Sequence, residues 1–154
     1  MWPIFEKIIF SLKWQLLNYN DYNWLWITFL VNEFKTKAKF FMITIYHNPR
    51  CSKSRQTLEL LKTQGIEPTV ALYLDSPLSA KTLSVLLQKL GIQASQLIRK
   101  NEAYYKENLK GLELTENQLI EAMVQHPKLI ERPIVVAGDK AALGRPPEAV
   151  LEII

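Results

Sequence analysis

Between Ile43 and Tyr73 the side chains change period twice, and no other feature of the chain limits its fold as much. Ile43-Thr-Ile-Tyr46 is a short β-branched and aromatic run with the composition of a strand. His47-Asn-Pro-Arg50 is a polar loop. From about Ser52 to Gln64, Thr57, Leu58 and Leu61 recur at helical spacing, and Gly65 supplies a stop. Thr69–Tyr73 is apolar again and forms a second strand. A strand, helix and strand of this size make one βαβ unit, which requires its strands to be parallel.

The rest of the chain adds to that unit. Ser79 caps a helix that reaches Leu90, with Leu83, Leu86, Leu87 and Leu90 as its apolar face, and Gly91 ends it. A shorter helix covers Ser95 to Lys100. Thr115 and Gln118 form a capping box, followed at helical spacing by Leu119, Ile120, Met123 and Val124 up to His126-Pro127. Arg132–Val136 reads as a third strand, Gly138-Asp139 as a turn and Ala141–Arg145 as a fourth strand. Pro146-Pro147 opens a last helix through Ile154, proline being suited to a first turn. The order is β-α-β, a helical insert, then β-β-α. This is the α/β class, with a mixed four-stranded sheet and helices on its faces. Crossover handedness places the loop after the first strand at the carboxyl edge of the sheet, where open α/β folds bind ligands.

Residues 1–41 have a different character. All four tryptophans lie there, and Trp24–Val31 is apolar but far shorter than the roughly 20 residues a spanning helix needs. Asn18, Asn20, Asp21 and Asn23 interrupt any secretory-signal pattern, and Lys35, Lys37 and Lys39 follow the apolar run. Two readings fit this segment: an extension outside the fold, as an upstream start codon would produce, or a weak interfacial anchor with tryptophan and lysine at a headgroup layer. Met42 opens the first strand directly, which suits a start. The domain division is therefore 1–41 and 42–154.

Net charge is +4, split evenly between the two parts, and neither carries the dense basic face that binding a nucleic-acid backbone demands. The single cysteine, Cys51, excludes a disulfide framework and points to a reducing, cytoplasmic compartment. Two isolated histidines and one cysteine do not make a zinc site. Nothing in the sequence demands more than a monomer.

Cys51 lies between a strand end and a helix start. Free backbone N–H groups and the helix dipole favour negative charge there, and cations nearby deepen the effect. Arg50, Lys53 and Arg55 add positive charge, and Ser52 and Ser54 add hydroxyls. The same geometry binds anions, so a thiolate and an oxyanion would share one cradle. A free cysteine is also a common small buried residue. The polar setting of Asn48, Pro49 and Arg50 favours the reactive reading.

At this point several motifs converge. Ile45–Leu58 (IYHNPRCSKSRQTL) resembles the opening of the glutaredoxin-dependent arsenate reductase family. The resemblance continues through Leu97–Asn101 (LIRKN), His126–Val136 (HPKLIERPIVV) and Gly144–Leu151 (GRPPEAVL). It covers nearly all of residues 42–154 and none of residues 1–41.

The resemblance implies a thioredoxin-like fold. It implies that Cys51 attacks arsenate while Arg99, Arg132 and Arg145 hold the oxyanion. Arginine suits that task because its rigid fork of donors matches oxyanions in pairs. The resemblance also implies a cis Arg132-Pro133 bond, with Pro133 facing the sulfur. His47, Asn48 and Ser54 take supporting places: His47 tuning the thiolate or ordering the loop, Asn48 and Ser54 positioning oxyanion or thiolate. His126 suits a helix C-cap better than catalysis. Glutathione is the implied co-substrate and glutaredoxin the implied partner, with no tightly bound cofactor. Two alternatives stand beside this reading. One is a glutathione-dependent thiol reductase or transferase on the same fold. The other is a regulator that binds RNA polymerase and senses redox state through a Cys-x-x-Cys pair, but position 54 is serine, so that disulfide cannot form.

Overall fold

A computed structural model describes residues 43–154. The readings made for residues 1–41, and for Met42 as a start, lie outside the described residues.

Four strands form one mixed sheet in the order β2-β1-β3-β4. β1 (Ile43–Tyr46) pairs in parallel with β2 (Thr69–Ala71), with Ile45 opposite Val70. On its other side β1 pairs antiparallel with β3 (Ile134–Ala137), and β3 pairs antiparallel with β4 (Lys140–Leu143). This is the mixed, thioredoxin-like sheet expected from the sequence, flanked by helices on both faces.

The two-residue period of the strands divides the core. Ile43, Ile45, Val135 and Ala137 point to one face, where they meet Leu61 of α1 (Ser52–Thr63), Ile66 and Val150. On the other side Ile134 meets Leu83, Leu86 and Leu87 of α2 (Ala80–Leu90) and, through them, Leu119 and Met123 of α4 (Glu116–Gln125). Each fully buried aliphatic side chain contributes roughly 1.5–3 kcal/mol to holding these layers. Both expected helix starts form. Ser79 accepts from the Thr82 N–H, and Thr115 and Gln118 make a reciprocal capping box. Gly91 ends α2 in the left-handed region, with φ +66°.

Several boundaries differ from expectation, each for a local reason. β2 ends at Ala71 and not at Tyr73, because the Tyr73 N–H bonds back to Ala71 O and the Asp75 and Ser76 N–H groups bond to Leu72 O. The chain therefore turns at once and sends Tyr73 into the core, 1% exposed. α3 is Ala94–Leu97 and stops short of Lys100 because Ile98 forms a β-bridge with Ile130. β3 begins at Ile134 because Pro133 has no N–H to give to a ladder. β4 runs Lys140–Leu143 and stops before Arg145, since the Gly144 N–H turns to Pro133 O. The last segment, Pro147–Ile153, is a 3₁₀ helix and not an α-helix. A short π-helical turn at Tyr105–Leu109 had no counterpart in the sequence reading.

Among the described residues no helix is long and apolar enough to cross a membrane. Nor does any group of three or more His, Cys, Asp or Glu side chains come together as a metal site among them.

Candidate active site at the Cys51 loop

Cys51 is the N-cap of α1, with extended backbone (φ −95°, ψ 121°), and its carbonyl accepts the Arg55 N–H at 3.0 Å. The helix thus starts at the sulfur, and its unsatisfied N–H groups surround it. Partial burial pushes the thiol pKa up. The backbone N–H groups of Ser54 and Lys53, and then the charge and hydrogen bonding of Arg132, outweigh that effect and leave it below the ordinary thiol value. The expected local cations act differently. Arg50, Lys53 and Arg55 are exposed, and Arg55 folds back to donate to Pro49 O at 2.7 Å; the cation that lowers the thiol is Arg132, from a distant part of the sequence.

The loop before Cys51 is a closed polar network. The Cys51 N–H donates to Asn48 O at 3.0 Å, and the Arg50 N–H donates to Asn48 Oδ1 at 2.9 Å. The Asn48 N–H donates to Ser54 Oγ at 3.0 Å, and Ser54 Oγ lies 2.8 Å from His47 Nδ1. The His47 N–H in turn reaches Ala71 O in β2 at 2.9 Å, tying the loop to the sheet. His47, Asn48 and Ser54 are all buried. Burial lowers the His47 pKa, a backbone hydrogen bond at Ser54 opposes this, and the charge of Arg55 reinforces it, for a net decrease. A neutral imidazole can accept the Ser54 hydroxyl proton at Nδ1, which leaves Ser54 Oγ free to accept from Asn48. The Asn48 and Ser54 side chains are therefore committed to holding the loop, while the Ser54 backbone N–H serves the thiolate.

Arg132 and Arg145 come to Cys51 from distant segments, and Arg99 is linked to Arg145 through Glu131. Arg145 Nη2 lies 4.0 Å from Cys51 Sγ, and Arg145 Nε donates to Arg132 O at 2.9 Å. Arg132 Nη1 donates to Lys128 O at 3.0 Å, while its Nε is buried without a partner. Arg99 pairs with Glu102 and approaches Lys128 O. Its backbone is fixed by donation of the Arg99 N–H to Leu129 O at 2.7 Å. Glu131 joins the outer two: its Oε2 is 3.1 Å from Arg145 Nε and 3.7 Å from Arg99 Nε.

The bond between Arg132 and Pro133 is cis, as the resemblance implied, and so is that between Arg145 and Pro146. Pro133 is packed against α1 through Gly144. A methyl group at Gly144 would sit 2.5 Å from Thr57 Oγ1 and 2.7 Å from Pro133 Cγ. Only glycine allows that approach. His126 ends α4 and stacks on Tyr104, ring centroids 3.6 Å apart.

Sequence reasoning missed Tyr73. Its hydroxyl is buried without a hydrogen-bond partner. Burial raises its pKa, Arg132 and Arg99 lower it, and Cys51 raises it, which places the phenol among the thiol and two of the arginines. Among the described residues the buried side-chain polar atoms without partners are Tyr73 Oη, Glu131 Oε2 and Arg132 Nε, and all three face this site. Such atoms are rare in folded proteins and call for a ligand or water. The only signal for Tyr73 in the sequence was a hydroxyl-bearing aromatic at the end of a strand parallel to β1.

Thiolate, helix terminus, arginines and orphaned donors together can bind a small oxyanion beside a nucleophile. The chain is 60% identical over 114 residues to YfgD of Escherichia coli K12, a protein of uncharacterised function, with 73% of this chain and 96% of that one covered. It is 51% identical over 114 residues to the arsenate reductase of Haemophilus influenzae, covering 73% and 98%. The solved structure of an arsenate reductase from Vibrio cholerae superposes with a TM-score of 0.72 at 51% identity, covering 74% of this chain and 98% of that one. The profile of the ArsC family matches residues 46–153, from the end of β1 through the cysteine loop and all three arginines to the last turn, and the chain belongs to that family.

Proposed function

We propose that this protein reduces arsenate to arsenite, with Cys51 as nucleophile and glutathione as the source of the second thiol. The observation that carries the reading is the thiol at the start of α1, its pKa lowered, with Arg145 4.0 Å from the sulfur. The Cys51 thiolate attacks arsenic, a sulfur–arsenic bond forms, and one oxygen leaves as water after taking a proton. Arg99, Arg132, Arg145 and the helix N-terminus balance charge on the remaining oxygens. A glutathione thiolate then attacks the Cys51 sulfur. The sulfur–arsenic bond breaks, its electron pair stays on arsenic, and arsenite leaves. Arsenic gains two electrons and the two thiols lose them as a mixed disulfide. Glutaredoxin attacks that disulfide on the glutathione side and restores Cys51 by ordinary thiol exchange.

Two features support an external second thiol. Cys51 is the only cysteine in the chain, and position 54, one helical turn on, is a serine already committed to the loop. The reading calls for no tightly bound cofactor, places the protein in a reducing cytoplasm, and needs one copy of the chain per site.

The test is arsenate-dependent NADPH consumption by the full chain with glutathione, glutaredoxin and glutathione reductase, run beside Cys51→Ser. Turnover by the wild type and none by the variant is the expected result. An inactive wild type whose Cys51 still becomes glutathionylated would reject arsenate as substrate and leave a thiol reductase acting on another substrate.

A further inference from the structure

The arginine side of the site already holds an anion. Glu131 Oε2 lies between Arg99 Nε, at 3.7 Å, and Arg145 Nε, at 3.1 Å, within ion-pair range of both. Yet that oxygen accepts no hydrogen bond from either. Arg145 Nε points its proton at Arg132 O instead, and Arg99 donates to Glu102. The carboxylate is thus held by charge alone, without the paired donor geometry that makes arginine–carboxylate contacts strong. Its side chain is 27% exposed, so it has room to leave. Its backbone has none: the Glu131 N–H donates to Leu97 O at 3.0 Å, and the neighbouring Ile130 bridges Ile98. Glu102 differs. It sits three residues from Arg99 on one short segment, is hydrogen-bonded to it, and touches no other arginine of the site.

We propose that Glu131 is a displaceable counter-anion of the oxyanion site and determines how tightly that site takes its ligand. Its carboxylate offsets the charges of the Arg99 and Arg145 guanidinium groups. An entering oxyanion seeks the same guanidinium charges and carries the same sign, so the Glu131 side chain must rotate outward as the ligand binds. Glu131 therefore weakens binding of every small oxyanion, and the ligand that succeeds is one able to use the hydrogen-bond donors that Glu131 leaves unused, Arg132 Nε and Tyr73 Oη among them. This rests on the oxyanion reading of the site but not on turnover of arsenate.

The experiment uses inorganic phosphate as probe and reads protection of Cys51 in the full chain from iodoacetamide, across phosphate concentrations at fixed pH and ionic strength. Glu131→Gln keeps the shape and removes the charge. It is expected to lower the phosphate concentration giving half protection by roughly tenfold, with a smaller change for Glu102→Gln. Glu131→Asp withdraws the carboxylate by one methylene and is expected to act in the same direction, so the test survives if one variant fails to fold. Unchanged or weaker protection in the folded variants would make Glu131 a brace for the arginines and overturn the proposal, as would equal tightening by Glu102→Gln. A chain that never reduces arsenate, but whose Glu131→Gln form holds phosphate more tightly, rejects the arsenate reading and keeps this one. Arsenate turnover with unchanged phosphate protection does the reverse.

Discussion

The loop that carries Cys51 closes on itself within eight residues, from His47 to Ser54, whereas the arginine wall is gathered from segments as far apart as Arg99 and Arg145. In the loop, Asn48, Ser54 and His47 satisfy one another. On the arginine wall and beside it, Tyr73, Glu131 and Arg132 each keep a buried polar atom without a partner. A satisfied polar network rigidifies what it encloses, and an unsatisfied one waits for a ligand. The Cys51 loop is thus braced by its own hydrogen bonds, while Arg132 Nε and Tyr73 Oη keep donors that a bound anion could use.

Substitutions on either side should separate these roles. The largest effect is expected at Arg132, which both lowers the Cys51 pKa and keeps an orphaned donor. Arg132→Ala should reduce kcat/KM for arsenate by about 10²–10³-fold, the loss typical of one preorganised charge stabiliser. The same variant should shift the pH midpoint of Cys51 alkylation upward. The wild-type thiol titrates below its ordinary value, so thiolate persists as pH falls, and removing the cation returns it toward that value. An unmoved midpoint would mean that the helix terminus alone sets the thiol.

A pair of hydroxyl deletions comes next in size. Ser54→Ala strands the buried Asn48 N–H and His47 Nδ1, and should cost about 2 kcal/mol in denaturant unfolding. Tyr73→Phe removes a hydroxyl that has no partner, so it should leave stability unchanged or slightly higher while weakening phosphate protection of Cys51 by about fivefold. If Tyr73→Phe lost stability and kept its anion binding, the contrast between the two walls would fail.

The smallest expected effect is with pH. The His47 pKa lies below its ordinary value in the folded state, chiefly through burial. Its contribution to stability is fully present above the unfolded histidine pKa of about 6.5 and is lost as pH falls below that toward the folded value. Unfolding free energy should therefore decline over that window, and His47→Asn should flatten the decline.

How far the sequence could foretell this structure follows the same division. The strand, helix and strand around Cys51 were legible because their signals are local: Ile43 and Ile45 alternating, Leu61 at helical spacing, and Gly65 after the last turn. The capping box at Thr115 and the left-handed Gly91 were legible for the same reason. Where long-range partners decide, local pattern misled. Nothing near Ile98 announces its bridge to Ile130, so the short helix was drawn too long. Asp75-Ser76-Pro77 mark a turn after Leu72, but nothing local announces that the turn buries Tyr73. Arg99, Arg132 and Arg145 were identified through resemblance, but nothing local marked the carboxylates that face them, Glu102 and Glu131. Gly144 was likewise silent, since its need for a bare Cα comes from Thr57 and Pro133, both remote in sequence.

The commitment of Ser54 carries one more consequence. Its oxygen accepts from Asn48 and contacts His47 in a fully buried position. A sulfur there would be larger and a poorer hydrogen-bond partner, so the loop that presents Cys51 would lose the atom that closes it. One side-chain position can either hold the loop shut or offer a resolving thiol, and this chain has assigned it to the first. A second thiol inside this loop is therefore disfavoured by the loop's own hydrogen bonding: sulfur at position 54 would be a poorer partner for Asn48 and His47, and the second thiol is left to come from another molecule.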